Sequence, residues 1–183
     1  MLEGLRQPLE ERVVRISRAS GTLEFPADFL LVACANPCPC GRTEMACRCG
    51  DAQRMRYARR LSAPLLDRFD LRLRIDSAGT EAGESSEETS TRVGAAIERQ
   101  RARLAGTRWR RNAHIPPGAL EYFVPLPAEA HAAWLDACRL RRLTGRGAAR
   151  IRRVARTFAD LDDHEIVNAD HVMRAALLRE DVW

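Results

Sequence analysis

The sequence predicts an α/β piece followed by an all-α bundle, and three observations carry that reading. FLLVACANP is a continuous apolar run, residues Phe29 to Ala35, stopped by Asn36-Pro37, as expected of a strand buried on both faces of a parallel sheet. DSAGTEAGESSEETS, residues 76–90, holds acids, Ser, Gly and Thr with no large apolar side chain, and reads as a solvated linker. Beyond it, four segments place apolar residues three and four apart, the spacing of one helix face.

Taken in order, LEGLRQPLEER reads as the end of a helix, and VVRISRASGTLEFP as a hairpin around Ser20-Gly21. The buried strand follows, then a segment rich in cysteine. DAQRMRYARRLSAPLLDR is expected to be helical up to Pro64, and FDLRLRI alternates as an edge strand does. Past the linker the expected helices are RVGAAIERQRARLAG, AEAHAAWLDACRLRRL, RGAARIRRVARTFADLD and NADHVMRAALLRE, the last with Asn168 as N-cap. HIPPGALEYFVPLP, with four prolines, separates the first of these from the rest.

Composition narrows the function. With 183 residues and 45% hydrophobic content, the chain can bury one core and a small second one. No run of eighteen apolar residues exists and MLEGLRQPLEER is not a signal peptide, so a cytoplasmic protein with no membrane partner is expected. All 30 basic residues are arginine. Residues 42–74 carry nine of them against four acids, and residues 139–156 carry eight against none. Guanidinium forks match phosphate, so nucleotides or nucleic acid are plausible partners, against the plainer alternative of a solvated surface.

Cys38, Cys40, Cys47 and Cys49 lie within twelve residues. An all-cysteine set of four is a common closed zinc site, and Pro39 and Gly41 supply the tight turn that a Cys-x-Cys pair needs. Metal-free reduced thiols and reversible disulfides are the competing readings, with structural zinc ranked above both. Cys34 and Cys138 read as small core hydrophobes. His114, His131, His164 and His171 are scattered, without an HExxH pattern or a nearby cysteine partner, and read as surface or cap residues.

LRQPLEERVVRISRASGTLEFPADFLLVACANPCPCG, then CRCG, RRLSAPLLDRFDLRLRI, and RGAARIRRVARTFADLD closing on VNADHVMRAALLRE, resembles the magnesium-chelatase-like AAA+ ATPases of the ComM/YifB type. The resemblance covers nearly the whole chain and implies the second half of an AAA+ core, a partial parallel sheet with a hairpin and helices, over residues 1–75. A linker at 76–90 and a helical lid and C-terminal domain over 91–183 complete the expected organisation.

The resemblance also implies roles. Asn36 falls at the sensor-1 position, which orients the attacking water; from spacing alone an Asx turn before Pro37 is the simpler reading. Arg68, in LLDRFD, falls at the arginine-finger position, with an ion pair to Asp67 or Asp70 as its alternative. Arg146 falls at the sensor-2 position, with Arg150 and Arg153 on its face as solvated or phosphate-facing support, while Ile151, Val154, Ala155 and Phe158 form the packing stripe. ATP with magnesium, non-specific DNA contact through phosphates, and a homo-oligomeric ring are implied partners of the complete protein.

The sequence has no GxxxxGK[ST] and no lysine, and no Walker B strand end. It is therefore expected to be the C-terminal portion of a longer motor linked to competence and recombination, inactive as an ATPase alone. The alternative is a stand-alone zinc-stabilised nucleic-acid-binding module. Nucleotide-dependent assembly with a Walker A partner favours the first, and tight DNA binding by the chain alone favours the second.

Overall fold

The computed structural model describes residues 2–42, 46–75 and 83–179. They form two compact units, one reaching Phe69 and one beginning at Asp70.

In the first unit a 3-10 turn, Leu2–Leu5, runs into α1, Arg6–Glu11. The helix stops at Arg12, whose left-handed backbone (φ 57) lets its N–H bond back to the Pro8 carbonyl at 2.9 Å. Strands β1, Val13–Arg18, and β2, Gly21–Pro26, pair antiparallel, with Val13 opposite Pro26 and Arg18 opposite Gly21. The turn residues are therefore Ala19 and Ser20, one position earlier than expected, and Gly21 (φ 139) opens the return strand. One face of the hairpin carries the Arg15–Glu24 ion pair and the Ser17–Thr22 hydroxyl pair, and the other carries exposed Val14, Ile16, Leu23 and Phe25.

The expected buried strand at Phe29–Ala35 is not formed. Leu30 is 83% and Val32 81% exposed, Cys34 is exposed rather than in a core, and among the described residues no strand bonds to this run. A parallel strand needs a neighbour about 4.8 Å away to take its N–H and C=O groups. None of the described residues supplies one, and the only sheet among them is the hairpin. FDLRLRI likewise forms no strand; Arg72 alone makes a bridge, to Arg179 in the second unit's last turn. Helix α2, Asp51–Ala58, ends before Pro64, and α3, Ala63–Leu66, is a new turn N-capped by Ser62 with Pro64 inside its first turn. That is where the missing proline N–H costs nothing.

The second unit is the expected helical bundle. Helix α4, Ser86–Arg103, starts inside the segment read as linker. Ser85 accepts from the Glu88 N–H at 3.2 Å while Glu88 accepts from the Ser85 N–H at 2.9 Å, a capping box that converts SSEE from a polar loop into a helix start. Residues 76–82 of that linker lie outside the described residues. The proline-rich interval folds into 3-10 turns at Asn112–His114 and Pro117–Ala119 and a short α5, Leu120–Phe123. Helices α6, Ala128–Leu140, α7, Gly145–Leu161, and α8, Ala169–Leu177, follow, with α7 packed on α4, α6 and α8. Asn168 caps α8 as expected. His171, read as a surface or cap residue, is a buried cap: it accepts the Asn168 N–H on Nδ1 at 3.1 Å, and burial pushes its pKa down. No described helix is long and apolar enough to cross a membrane.

The core of this unit holds a charged knot. Asp160, 2% exposed, takes both Arg103 Nη atoms at 2.6 and 2.7 Å, Asn112 Nδ2 at 2.9 Å and Arg156 Nε at 3.2 Å. Arg156 also donates to the carbonyls of His164 and Glu165, both at 2.5 Å. One carboxylate thus joins α4, the Asn112 turn and α7. Asp160→Ala strands two guanidiniums in a buried setting and is expected to cost about 3–5 kcal/mol. That is a fall of roughly 13–22 °C in the thermal midpoint for a unit of this size. A loss below about 1 kcal/mol by chemical denaturation refutes the knot as a stabilising element.

Candidate metal centre

Cys38 and Cys40 sit on a tight turn and Cys47 and Cys49 just ahead of α2, so two short stretches bring four thiols to one point. The turn closes with the Gly41 N–H donating to the Cys38 carbonyl at 3.1 Å. Gly41 has φ 67, and a Cβ there would stand 3.1 Å from Asn36 Nδ2, so both backbone and space call for glycine. Cys38 Sγ lies 3.1 Å from Cys40 Sγ and 3.4 Å from Cys47 Sγ, and Cys40 to Cys47 is 3.8 Å. All four sulfurs fall within 4.8 Å of one another. Zn–S bonds near 2.3 Å at tetrahedral angles put sulfurs about 3.8 Å apart, so the donor set fits zinc with small adjustments. The Cys49 N–H points to Cys47 Sγ at 3.5 Å.

The electrostatics favour a cation. A backbone hydrogen bond from Arg42, then the Cys38 thiol, holds the Cys40 thiol down to about 6, whereas burial pushes Cys49 up to about 12. The thiol of Cys38 is raised as well, first by its hydrogen bond to Cys40. Cys40 is thus held toward its charged form, while Cys38 and Cys49 are held toward their protonated forms. A divalent ion replaces those protons and lets all four act as thiolates. A disulfide needs about 2.05 Å between sulfurs, shorter than any spacing here, and all six cysteines are free.

The other expected site residues are not gathered at this centre. Asn36 is exposed, its amide against Gly41. Arg68 is folded inward: Nε donates to the Arg6 carbonyl at 3.1 Å, Nη1 to the Pro64 carbonyl at 2.5 Å, and Nη2 pairs with Glu10. In the second unit, Arg146 is exposed in the first turn of α7. Arg150, 9% exposed, pairs with Asp70 at 2.9 Å, and Arg153 donates to the Ile115 carbonyl at 2.8 Å. Those two are staples within the unit rather than solvated side chains. Sequence reasoning did not pick out Asp70 as the anchor of Arg150 or Asp160 as a hub for Arg103, because the partners are 80 and 57 positions apart in the chain.

Hairpin, cysteine loop and helical bundle define the class. A model of magnesium chelatase, subunit ChlI, matches residues 1–82, and one of the ChlI C-terminal region matches 83–179. The chain belongs to the magnesium chelatase family and is of the ComM/YifB type. It is 37% identical over 187 residues to the uncharacterized protein YifB of Escherichia coli strain K12, covering 97% of this chain and 36% of YifB. The uncharacterized protein Rv2897c of Mycobacterium tuberculosis is 36% identical, over 98% of this chain and 37% of its own length. Competence protein ComM of Haemophilus influenzae is 36% identical, over 96% of this chain and 35% of ComM. The chain thus spans little more than a third of the length of these relatives.

Proposed function

We propose that the chain is the C-terminal portion of a magnesium-chelatase-like AAA+ ATPase, the nucleotide-sensing and subunit-interface part of a DNA-linked motor in competence and recombination. The observation that carries this reading is the family match running through both units while covering only about a third of each relative. In this reading the remaining length supplies the Walker motifs and the strands that cover the exposed Phe29–Ala35 run, which then ends at Asn36 as sensor 1. Arg146 reaches nucleotide from the lid as sensor 2, with Arg150 and Arg153 fixing the helix that presents it rather than binding phosphate themselves. Arg68 acts as the finger on a neighbour's nucleotide in a ring.

Cys38, Cys40, Cys47 and Cys49 hold zinc as a closed structural centre. The ion would tie the two Cys-x-Cys turns to each other just ahead of α2 and do no chemistry on substrate, since four protein ligands leave no open position.

The test is assembly. Mixed with a separate polypeptide carrying the Walker A and Walker B motifs of the same family, the chain is expected to form a higher-order ATP-dependent species and to raise ATP turnover, while alone it shows none above background. Turnover by the chain alone, or no association with ATP and magnesium present, overturns the motor reading. The second reading, a stand-alone zinc-stabilised nucleic-acid module, is favoured by the cysteine cluster's being complete within this chain.

A further inference from the structure

A polar cleft of about 720 Å³ opens beside the cysteine centre, lined by Cys40, Arg42, Arg48 and Cys49 on one wall and by Gln53, Arg56, Tyr57 and Arg60 on the other. The second wall has the spacing of one helix face, i, i+3, i+4 and i+7, so α2 and the turn after it aim all four side chains the same way.

The four arginines are exposed, and among the described residues none of them pairs with a carboxylate. Elsewhere in this unit several guanidiniums are consumed. Arg6 pairs with Glu3, Arg15 with Glu11 and Glu24, Arg68 with Glu10, and Arg54 donates to the Cys49 carbonyl. Five of the eight arginines of the second block are consumed too: Arg141, Arg152, Arg153 and Arg156 donate to backbone carbonyls, and Arg150 to Asp70. Four exposed guanidiniums that meet no carboxylate among the described residues thus gather in this one cleft.

A tetrathiolate zinc centre carries a formal charge of about −2. It offsets at most half of the four guanidinium charges, so the cleft stays positive with metal bound. Among the lining residues Tyr57 is aromatic, and the Arg60 guanidinium stands 6.0 Å from its ring centroid, which sets a ring next to cations. Phosphate-binding arginines with a ring beside them match a single strand, whose bases are free to stack, whereas a duplex keeps its bases inside.

We propose that this cleft binds the phosphodiester backbone of single-stranded nucleic acid, with a base against Tyr57. The inference deepens the DNA-linked reading above and rests on it, but it is tested without nucleotide or assembly, so it fails separately. The probe is fluorescein-labelled oligodeoxythymidylate of about 12 nucleotides, bound to the full chain and read by anisotropy across a salt series.

Four contacts give a log–log salt slope of about −2.8, at roughly −0.7 per phosphate for single strands. Arg56→Glu with Arg60→Glu is expected to weaken binding about tenfold or more and to bring the slope to about −1.4, with zinc content and melting temperature unchanged. Arg101→Glu with Arg139→Glu, both exposed in the second unit, should leave binding within about twofold. If the first pair fails to fold, Arg42→Glu with Arg48→Glu reads the same cleft from the cysteine loop. A folded cleft variant that binds within twofold at an unchanged slope overturns the proposal, as does a duplex of equal length binding as tightly as the single strand.

Discussion

Serine at Cys38, Cys40, Cys47 or Cys49 is expected to take the purified protein from about one bound zinc to substoichiometric metal, weakening affinity by at least about 100-fold. A hydroxyl keeps its proton at neutral pH where a thiol gives its up to the metal, so the variant loses a bond and a charge together. Structural zinc contributes about 10–16 kcal/mol in small zinc-dependent folds. Among the described residues of the loop between Asn36 and Gly50, the four sulfurs face each other and Cys38 alone is buried. Chelation is therefore expected to release amide protection across this loop in hydrogen exchange while leaving the helical bundle's protection in place. Gly41→Ala keeps all four ligands but forces a Cβ onto a φ of 67 and against Asn36, and should weaken zinc by less than any serine variant does. Elemental analysis of reduced protein that finds no metal, with a melting curve unmoved by chelator, overturns the centre.

How far the sequence could be read depended on whether a signal was local. Helix α8 was legible because Asn168 and His171 satisfy each other's neighbouring groups within four residues, and α7 because its apolar stripe repeats at helical spacing. The α4 start was missed although Ser85 and Glu88 spell a capping box; acidic, small residues outweighed it in the linker reading. Non-local facts were out of reach. An apolar run states what its side chains prefer, not whether strands lie alongside to bond it, so Phe29–Ala35 reads as buried and stands exposed. Arginine is ambiguous in the same way: Arg150 finds Asp70 eighty positions away and Arg103 finds Asp160 fifty-seven away, while Arg56 and Arg60 meet no carboxylate among the described residues. Nothing in their immediate neighbours separates a staple from a phosphate ligand. The cysteine loop was legible because its four donors lie within twelve residues, too close to meet anything but each other.

Arg68→Ala, placed in the assembled ring, is expected to cut ATP turnover by about 10³-fold or more, the effect of removing a finger that stabilises charge on the transferring phosphate. The inward fold of Arg68 gives that expectation a rival, because a side chain donating to the Arg6 and Pro64 carbonyls and pairing with Glu10 is also a brace between α1 and α3. The brace is worth about 1–3 kcal/mol, since the ion pair is only partly shielded from water. Two variants separate the roles. Glu10→Gln removes the brace's carboxylate and leaves the guanidinium in place; Arg68→Ala removes the guanidinium, and with it both the brace and any finger. A finger predicts that Glu10→Gln keeps ring turnover within a few fold while Arg68→Ala abolishes it, even though both lower the melting temperature. A brace predicts parallel losses of stability with turnover retained in every ring that assembles. Arg68→Lys sharpens the contrast, since a lysine keeps the charge but cannot repeat the forked donation to phosphate oxygens. If the Arg68→Ala ring turns over ATP at the rate of the parent, Arg68 is the brace to Glu10 alone, and the finger must be sought among the exposed arginines.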